Sequence, residues 1–150
     1  MSKKVLVVED DLGVFNMLQK ELGLSFDLTR ARTVAEAIGA VEENGPFDCF
    51  VVDLSILNSG LQKEEKIKYQ RREGYAFLKH YLWSGTLAHY EWEGDNREKV
   101  DALKSKTIIC SRHADEFKKE FRSEIAGLKI VLKNSGFEKK VVDFVKRICL

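Results

Sequence analysis

This sequence has little proline, little cysteine and almost no net charge. It has one proline, Pro46, and three cysteines, and its 25 basic residues nearly balance its 24 acidic ones, for a net charge of +1. So small a net charge gives no overall field that would attract nucleic acid or an anionic membrane. The cysteines have no metal-ligand spacing. We expect Cys49 and Cys110, which lie in apolar runs, to be buried and inert, whereas Cys149 near the carboxyl end is open to exposure.

Long apolar segments are missing as well. No run reaches the length of a membrane span, and residues 1–4 lead into the first apolar run without a signal peptide. We therefore expect a cytoplasmic protein with neither a membrane nor a nucleic-acid partner. With 150 residues, of which 44% are hydrophobic and 33% charged, the chain is long enough for one well-cored domain, and we predict a single domain over residues 1–150.

Short apolar runs alternate with helical patterns along the chain. Strands are predicted at residues 5–8, 26–29, 48–53, 107–111 and 129–132. Apolar residues at helical spacing follow the strands at 12–22, 34–41, 117–125 and 137–148. Thr33 with Glu36, and Ser135 with Glu138, have the spacing of capping boxes at two helix starts. The alternation predicts an α/β protein with a parallel sheet covered by helices on both faces.

Charged side chains follow three of the predicted strands. Val5–Val8 is followed by Glu9, Asp10 and Asp11, a second run ends in Asp53, and a third ends in Lys133. Because the carboxyl ends of parallel strands meet at one edge of a sheet, we expect these groups to lie together. The sequence therefore predicts a site at that edge.

Clustered carboxylates need protons or a cation. Each close pair of carboxylates repels by about 4 kcal/mol at an effective dielectric near 20. Oxygen ligands from adjacent acids favour magnesium over zinc. With a cation and Lys133 offsetting the negative charge, the Asp53 carboxylate could attack a phosphoryl donor. The predicted chemistry is the formation of an aspartyl phosphate.

The order of these motifs resembles the receiver domain of two-component response regulators. The carrying residues are Val-Val-Glu-Asp-Asp at the end of strand one, Val-Val-Asp at the end of strand three, Ser111 after strand four and Lys133 after strand five. The resemblance implies a flavodoxin-like fold with five parallel strands in the order 2-1-3-4-5. It also implies residue roles: metal-site acids Glu9 and Asp10, phosphoacceptor and metal ligand Asp53, a metal-ligating backbone carbonyl at Ser55, a switch hydroxyl at Ser111 and a phosphate-pairing cation at Lys133.

The function that the resemblance implies is a stand-alone phosphoacceptor module without an output domain. Asp53 would take a phosphoryl group from a histidine kinase or a phosphotransfer protein, with Mg²⁺ as cofactor, and the module would then act on a downstream signalling protein. It would be no enzyme beyond its own phosphorylation and dephosphorylation. The alternative is a divergent receiver that works as a phosphorylation-independent protein-interaction module. A phosphohydrolase is disfavoured because Ser55 stands where such enzymes have a second acid, and the oligomeric state is left open.

The sequence departs from the receiver pattern between Asp53 and Ser111. The separation of 58 residues is about twice what one loop, one helix and one turn require. Residues 74–78 look like the start of the third helix, so the surplus divides into insertions around 57–72 and 85–104. The mixed charges of 63–73 indicate a solvated helix or a mobile loop. The first insertion could shield the acyl phosphate, position a phosphodonor or lie in solvent.

Two further departures concern the strand-five end. Receivers usually carry a proline after the lysine, with a cis bond, whereas Asn134 stands here, and a cis bond before a non-proline residue costs about 3 kcal/mol. We therefore predict a trans bond at 133–134. The aromatic residue that usually moves with the switch hydroxyl is replaced by Lys129, Ile130 and Val131.

Overall fold

The computed structural model describes residues 2–150. Its strands are β1 (Lys3–Val8), β2 (Phe26–Ala31), β3 (Cys49–Asp53), β4 (Thr86–Leu87), β5 (Tyr90–Glu91), β6 (Thr107–Ser111) and β7 (Lys129–Leu132). Its helices are α1 (Leu12–Leu22), α2 (Val34–Asn44), α3 (Lys63–Lys68), α4 (Glu73–Phe77), α5 (Arg97–Lys104), α6 (Ala114–Glu120) and α7 (Phe137–Cys149). A π-helical turn, Leu78–Leu82, continues α4.

The main sheet has five parallel strands in the order β2-β1-β3-β6-β7. Since β4 and β5 form a separate hairpin, the order is the predicted 2-1-3-4-5, and the predicted flavodoxin-like fold is confirmed. The central strand β3 is buried over its whole length. Its apolar run from Cys49 to Val52 is typical of a strand covered on both faces.

Alternate residues of the strands enter two separate cores. In β1, Val5 and Val7 point to the core that also contains α1 and α7, whereas Leu6 and Val8 point to the core beneath α2, α4 and α6. This period of two is the ordinary consequence of strand geometry. Each fully buried valine or leucine contributes about 1.5–3 kcal/mol. The sheet edge that carries the charged residues is therefore held by packing on both sides.

The first insertion, 57–72, is part helix and is anchored to the body of the protein. Its helix α3 buries none of its residues, as predicted for a solvated helix. The chain that follows is fixed by Tyr69, which is 1% exposed and whose hydroxyl shares a hydrogen bond of 2.7 Å with Nε2 of His80. Leu61 at the other end is buried as well. The insertion is thus seated on the domain at both ends.

The third helix of the receiver pattern begins where the sequence predicts it. Gly74, the second residue of α4, donates its amide to the carbonyl of Leu54 at 2.8 Å. A Cβ at this position would lie only 2.1 Å from the carbonyl oxygen of Asp53. The absence of a side chain on Gly74 therefore lets the helix lie directly against the end of β3.

The second insertion, 85–104, comprises the β4–β5 hairpin and α5. The hydroxyl of Tyr90 accepts a hydrogen bond from the amide of Phe47 at 2.7 Å and donates one to its carbonyl at 3.0 Å. The Tyr90 ring also packs edge-on against Phe50, with the ring centroids 5.8 Å apart. Because Phe47 precedes β3, this contact lies at the amino end of that strand, opposite the charged edge.

Two local predictions are wrong. Ser135 and Glu138 do not cap α7, because Gly136 occupies the N-cap with a φ of +80° and no side-chain capping bond forms. The helix predicted through residue 125 ends at Glu120, as α6. Cys149, which the sequence left open to exposure, is buried like Cys49 and Cys110.

Other details agree with the sequence. The side chain of Thr33 accepts a bond from the amide of Glu36, although the Glu36 carboxylate turns to Arg32 instead of closing the box. Gly45–Pro46 is the one cis peptide bond within residues 2–150, so the bond at 133–134 is trans, as predicted. No helix in this range is both long and apolar enough to cross a bilayer.

Candidate functional site

The register of the sheet places the predicted site residues at one edge. Asp53, the last residue of β3, pairs with Cys110 of β6, and Ser111 pairs with Leu132. The amide of Lys133 then donates to the carbonyl of Ser111 at 2.8 Å. The strand ends that carry Asp53, Ser111 and Lys133 are therefore neighbours, as the strand pattern predicts.

Lys133 connects the two buried carboxylates of the site. Its Nζ donates to Oε1 of Glu9 at 2.7 Å and to Oδ2 of Asp53 at 2.9 Å. The side chains of Lys133, Glu9 and Asp53 are 12%, 4% and 10% exposed. Three charged groups from three strand ends thus share one poorly solvated space, where each depends on the others for compensation.

Burial and the contacts among these groups shift the pKa of two of them. Burial, reinforced by the hydrogen bond and negative charge of Asp53, raises the pKa of Glu9 to about 8, although Lys133 opposes the shift. Burial acts to lower the pKa of Lys133, but its hydrogen bonds to Asp53 and Glu9 outweigh burial and hold that pKa above its usual range. The lysine therefore stays charged, while Glu9 readily takes up a proton in the absence of further positive charge.

The loop after β1 is fixed by its own hydrogen bonds. Oδ1 of Asp11 accepts from the amides of Gly13 and Val14 at 2.8 and 3.3 Å, which caps α1. Arg30 donates to the carbonyls of Glu9 and Asp10 at 3.2 and 2.9 Å. Asp11 is therefore engaged as a helix cap, and the exposed side chain of Asp10 is left facing the site.

The acids fit a hard divalent cation. Glu9, Asp10 and Asp53 each offer one carboxylate oxygen, and these three oxygens all lie within 4.8 Å of one another. Magnesium binds such oxygens at about 2.0–2.1 Å and completes its octahedron with water. The amide of Ser55 donates to Oδ1 of Asp53 at 3.2 Å, which brings its backbone beside the acids. The role of the Ser55 carbonyl as a ligand stays a prediction.

A cavity of about 350 Å³ opens above Asp53. The residues predicted from the sequence that line it are Asp10, Asp11, Asp53, Ser55, Ser111 and Lys133, and they are joined by Arg71, Arg72, Arg112 and His113. The Oγ of Ser111 accepts a hydrogen bond from the amide of His113 at 2.9 Å, so the hydroxyl is oriented by the loop that follows β6.

Sequence reasoning missed the three arginines of this cavity. Arg112 directly follows a strand end, which was a usable signal. Arg71 and Arg72 lie in the mixed-charge run of the first insertion, where no periodicity shows which side chains face inward. Their presence at the cavity means that the first insertion reaches the site, one of the possibilities that the sequence left open.

Comparison with known proteins extends this picture. No family model matches the sequence, and no curated protein matches it. Solved structures do match. A sensor protein from Polaromonas sp. JS666 has 19% identity and a TM-score of 0.65, covering 98% of this chain and 95% of its own. A putative response regulator from Chloroflexus aurantiacus has 20% identity and a TM-score of 0.63, with coverages of 99% and 98%. A CheY-like response regulator receiver domain from Methanospirillum hungatei JF-1 has 16% identity and a TM-score of 0.62, with coverages of 99% and 94%.

These likenesses establish the fold of the chain. It has the CheY-like receiver fold over nearly its whole length, and the resemblance predicted from the strand-end motifs is confirmed at the level of the fold. The function rests on the site itself, because one fold can serve many functions.

Proposed function

We propose that this chain is a receiver module that accepts a phosphoryl group on Asp53 from a histidine kinase or a phosphotransfer protein. The observation that carries the proposal is the Asp53 carboxylate beneath an open cavity, bonded to Lys133 at 2.9 Å. The groups that such chemistry needs, a nucleophile, metal-site acids and a fixed cation, stand together in the receiver fold.

The transfer makes one bond and breaks one. A carboxylate oxygen of Asp53 attacks phosphorus while the bond from phosphorus to the donor imidazole nitrogen breaks, and the electron pair stays on that nitrogen. Lys133, already in contact with Asp53, offsets the negative charge on the phosphoryl oxygens while the phosphoryl group is transferred. The Ser111 hydroxyl, which lines the same cavity, donates to one of those oxygens.

A bound magnesium ion would be held by Glu9, Asp10 and Asp53, with the Ser55 carbonyl as a further ligand. Its chemical contribution is positive charge that offsets the acids and the incoming phosphoryl oxygens. Glu9 must be ionised to serve as a ligand, and its raised pKa of about 8 means that proton release accompanies metal binding.

The test is phosphorylation by acetyl phosphate in the presence of Mg²⁺, followed by mass spectrometry. We expect one added phosphoryl group on the parent protein and none on Asp53→Asn. Asp95→Asn, which changes an exposed aspartate of the second insertion, is the matched control and should label like the parent. Equal labelling of Asp53→Asn would refute the proposed acceptor.

One observation favours the alternative of a phosphorylation-independent interaction module. Ile130 and Val131 occupy β7 where receivers usually carry the aromatic residue that moves with the switch hydroxyl. A parent protein that takes no phosphoryl group from acetyl phosphate or from histidine-kinase donors would support this second function.

A further inference from the structure

The first insertion brings two arginines to the cavity above Asp53. Arg71 and Arg72 both line it, together with Arg112 and Lys133. We propose that Arg71 and Arg72 bind the phosphoryl group carried by Asp53, an inference that rests on the proposed function of that residue. The two arginines act as ligand-binding residues that lie outside the receiver motif.

Charge balance in the cavity is the first argument. Four cations, Arg71, Arg72, Arg112 and Lys133, face the three lining carboxylates of Asp10, Asp11 and Asp53. Without the insertion only two cations would remain against these three acids. Phosphorylation replaces the single negative charge of the Asp53 carboxylate by the charge of about −1.5 to −2 of a phosphoryl group, so the negative charge in the cavity grows by up to about one. Lys133 is already paired with Glu9 and Asp53. The arginines of the insertion are therefore the cations that can offset the charge of the phosphoryl group.

The hydrogen bonding of Arg72 is the second argument. Its side chain is 11% exposed, and its buried Nε has no hydrogen-bond partner among the described residues. Its Nη1 donates to the carbonyl of Arg71 at 3.1 Å, and its Nη2 lies 3.7 Å from the half-exposed Glu120. Buried guanidinium donors normally have hydrogen-bond partners. Arg72 therefore has an unused donor that can bond an acceptor such as a phosphoryl oxygen.

The backbone of Arg71 is the third argument. Its φ of +66° is unfavourable for a residue with a Cβ, and its amide donates to Oε2 of the buried Glu73 at 2.9 Å. Tyr69, fully buried two residues earlier, fixes the other side. The local chain is held in a disfavoured conformation that puts both arginines at the cavity.

The experiment compares an anionic and a cationic probe. Calorimetry measures the Kd of fluoroberyllate, a phosphoryl mimic, at saturating Mg²⁺, and the Kd of Mg²⁺ alone. Arg71→Gln and Arg72→Gln should each weaken fluoroberyllate binding about tenfold, as expected for one charge-assisted hydrogen bond. They should leave Mg²⁺ binding unchanged or tighter, because each removes a positive charge from the cavity. Lys66→Gln removes an exposed cation of α3 in the same insertion and should alter neither Kd.

The outcomes separate this inference from the proposed function. If the parent binds no fluoroberyllate, both fail. If the parent binds it, Asp53→Asn does not, and the double arginine variant binds like the parent, the acceptor role stands and the arginine proposal is overturned. Parallel loss of Mg²⁺ and fluoroberyllate binding would show that the arginines merely hold the loop. If Lys66→Gln weakened fluoroberyllate binding as much as the arginine variants do, the effect would come from the overall positive charge of the insertion and not from contacts of the two arginines. Both results would overturn the proposal.

Discussion

At the scale of single residues, Lys133 is the group on which the site depends. It compensates two carboxylates that are at most 10% exposed. Its position follows from the sequence, because Glu9, Asp53 and Lys133 each directly follow or close an apolar strand. Arg71 and Arg72 could not be placed in the same way. Their location depends on how Tyr69 anchors an insertion without a strand or helix periodicity of its own.

Replacing Lys133 by methionine removes the cation and keeps most of the side-chain volume. Breaking a buried ion pair typically costs about 3–5 kcal/mol. The pKa of Glu9 is about 8 in the folded protein, which is above its value in the unfolded chain. The free energy of unfolding therefore falls as the pH rises through about 8 and Glu9 loses its proton. Without the lysine, this penalty grows. We therefore expect Lys133→Met, in chelator, to lose about 3 kcal/mol at about pH 9 and less at about pH 6.

Urea unfolding at the two pH values measures this difference. Lys118→Met, at an exposed position of α6, is the control and should change stability by less than about 0.5 kcal/mol at both. A loss for Lys133→Met that is the same at high and low pH would contradict the coupling to Glu9.

At the scale of secondary-structure elements, the position of α4 depends on Gly74. The sequence predicts a helix start there, and the structure gives the reason for glycine: the backbone of Asp53 lies where a Cβ would be. Local signals are weaker guides when they compete. Ser135 has the spacing of a capping residue, but the N-cap of α7 is Gly136, which has a left-handed conformation.

The substitution of glycine by alanine should therefore have opposite effects in two helices. Gly74→Ala places a Cβ 2.1 Å from the Asp53 carbonyl oxygen and should destabilise by about 2 kcal/mol or more. Gly39→Ala in α2, where a Cβ meets nothing within 4 Å, should stabilise by up to about 1 kcal/mol through helix propensity. Urea unfolding of both variants is the measurement, and a neutral Gly74→Ala would show that α4 does not pack this closely on β3.

At the scale of the whole molecule, the two helical layers were predictable because short apolar runs alternate with helical patterns along the chain, and the strand order was predictable from the receiver resemblance. The attachment of the insertions was not. One ends at the carboxyl edge through Arg71 and Arg72, and the other is attached at the amino end of β3 through Tyr90 and Phe47. Both attachments are long-range contacts that no local pattern specifies.

Cation binding at the charged edge should stabilise the entire fold, since its three acids come from the ends of β1 and β3 and exist as a cluster only in the folded chain. At a Mg²⁺ concentration about a hundredfold above Kd, the gain is about 2.7 kcal/mol, which corresponds to a Tm increase of roughly 5–10 °C for a domain of this size. Calorimetric melting with and without Mg²⁺ measures it.

Asp10→Asn should lose most of this increase, because it removes a ligand charge from an exposed side chain that makes no hydrogen bond or ion pair with any of residues 2–150. Asp95→Asn, also exposed but remote from the cluster, should keep the full increase. Were Asp10→Asn to gain as much from Mg²⁺ as the parent, the ion would be acting elsewhere on the surface. The negative charge of the acids at the strand ends would then be offset by Lys133 and by a proton on Glu9, without a metal ion.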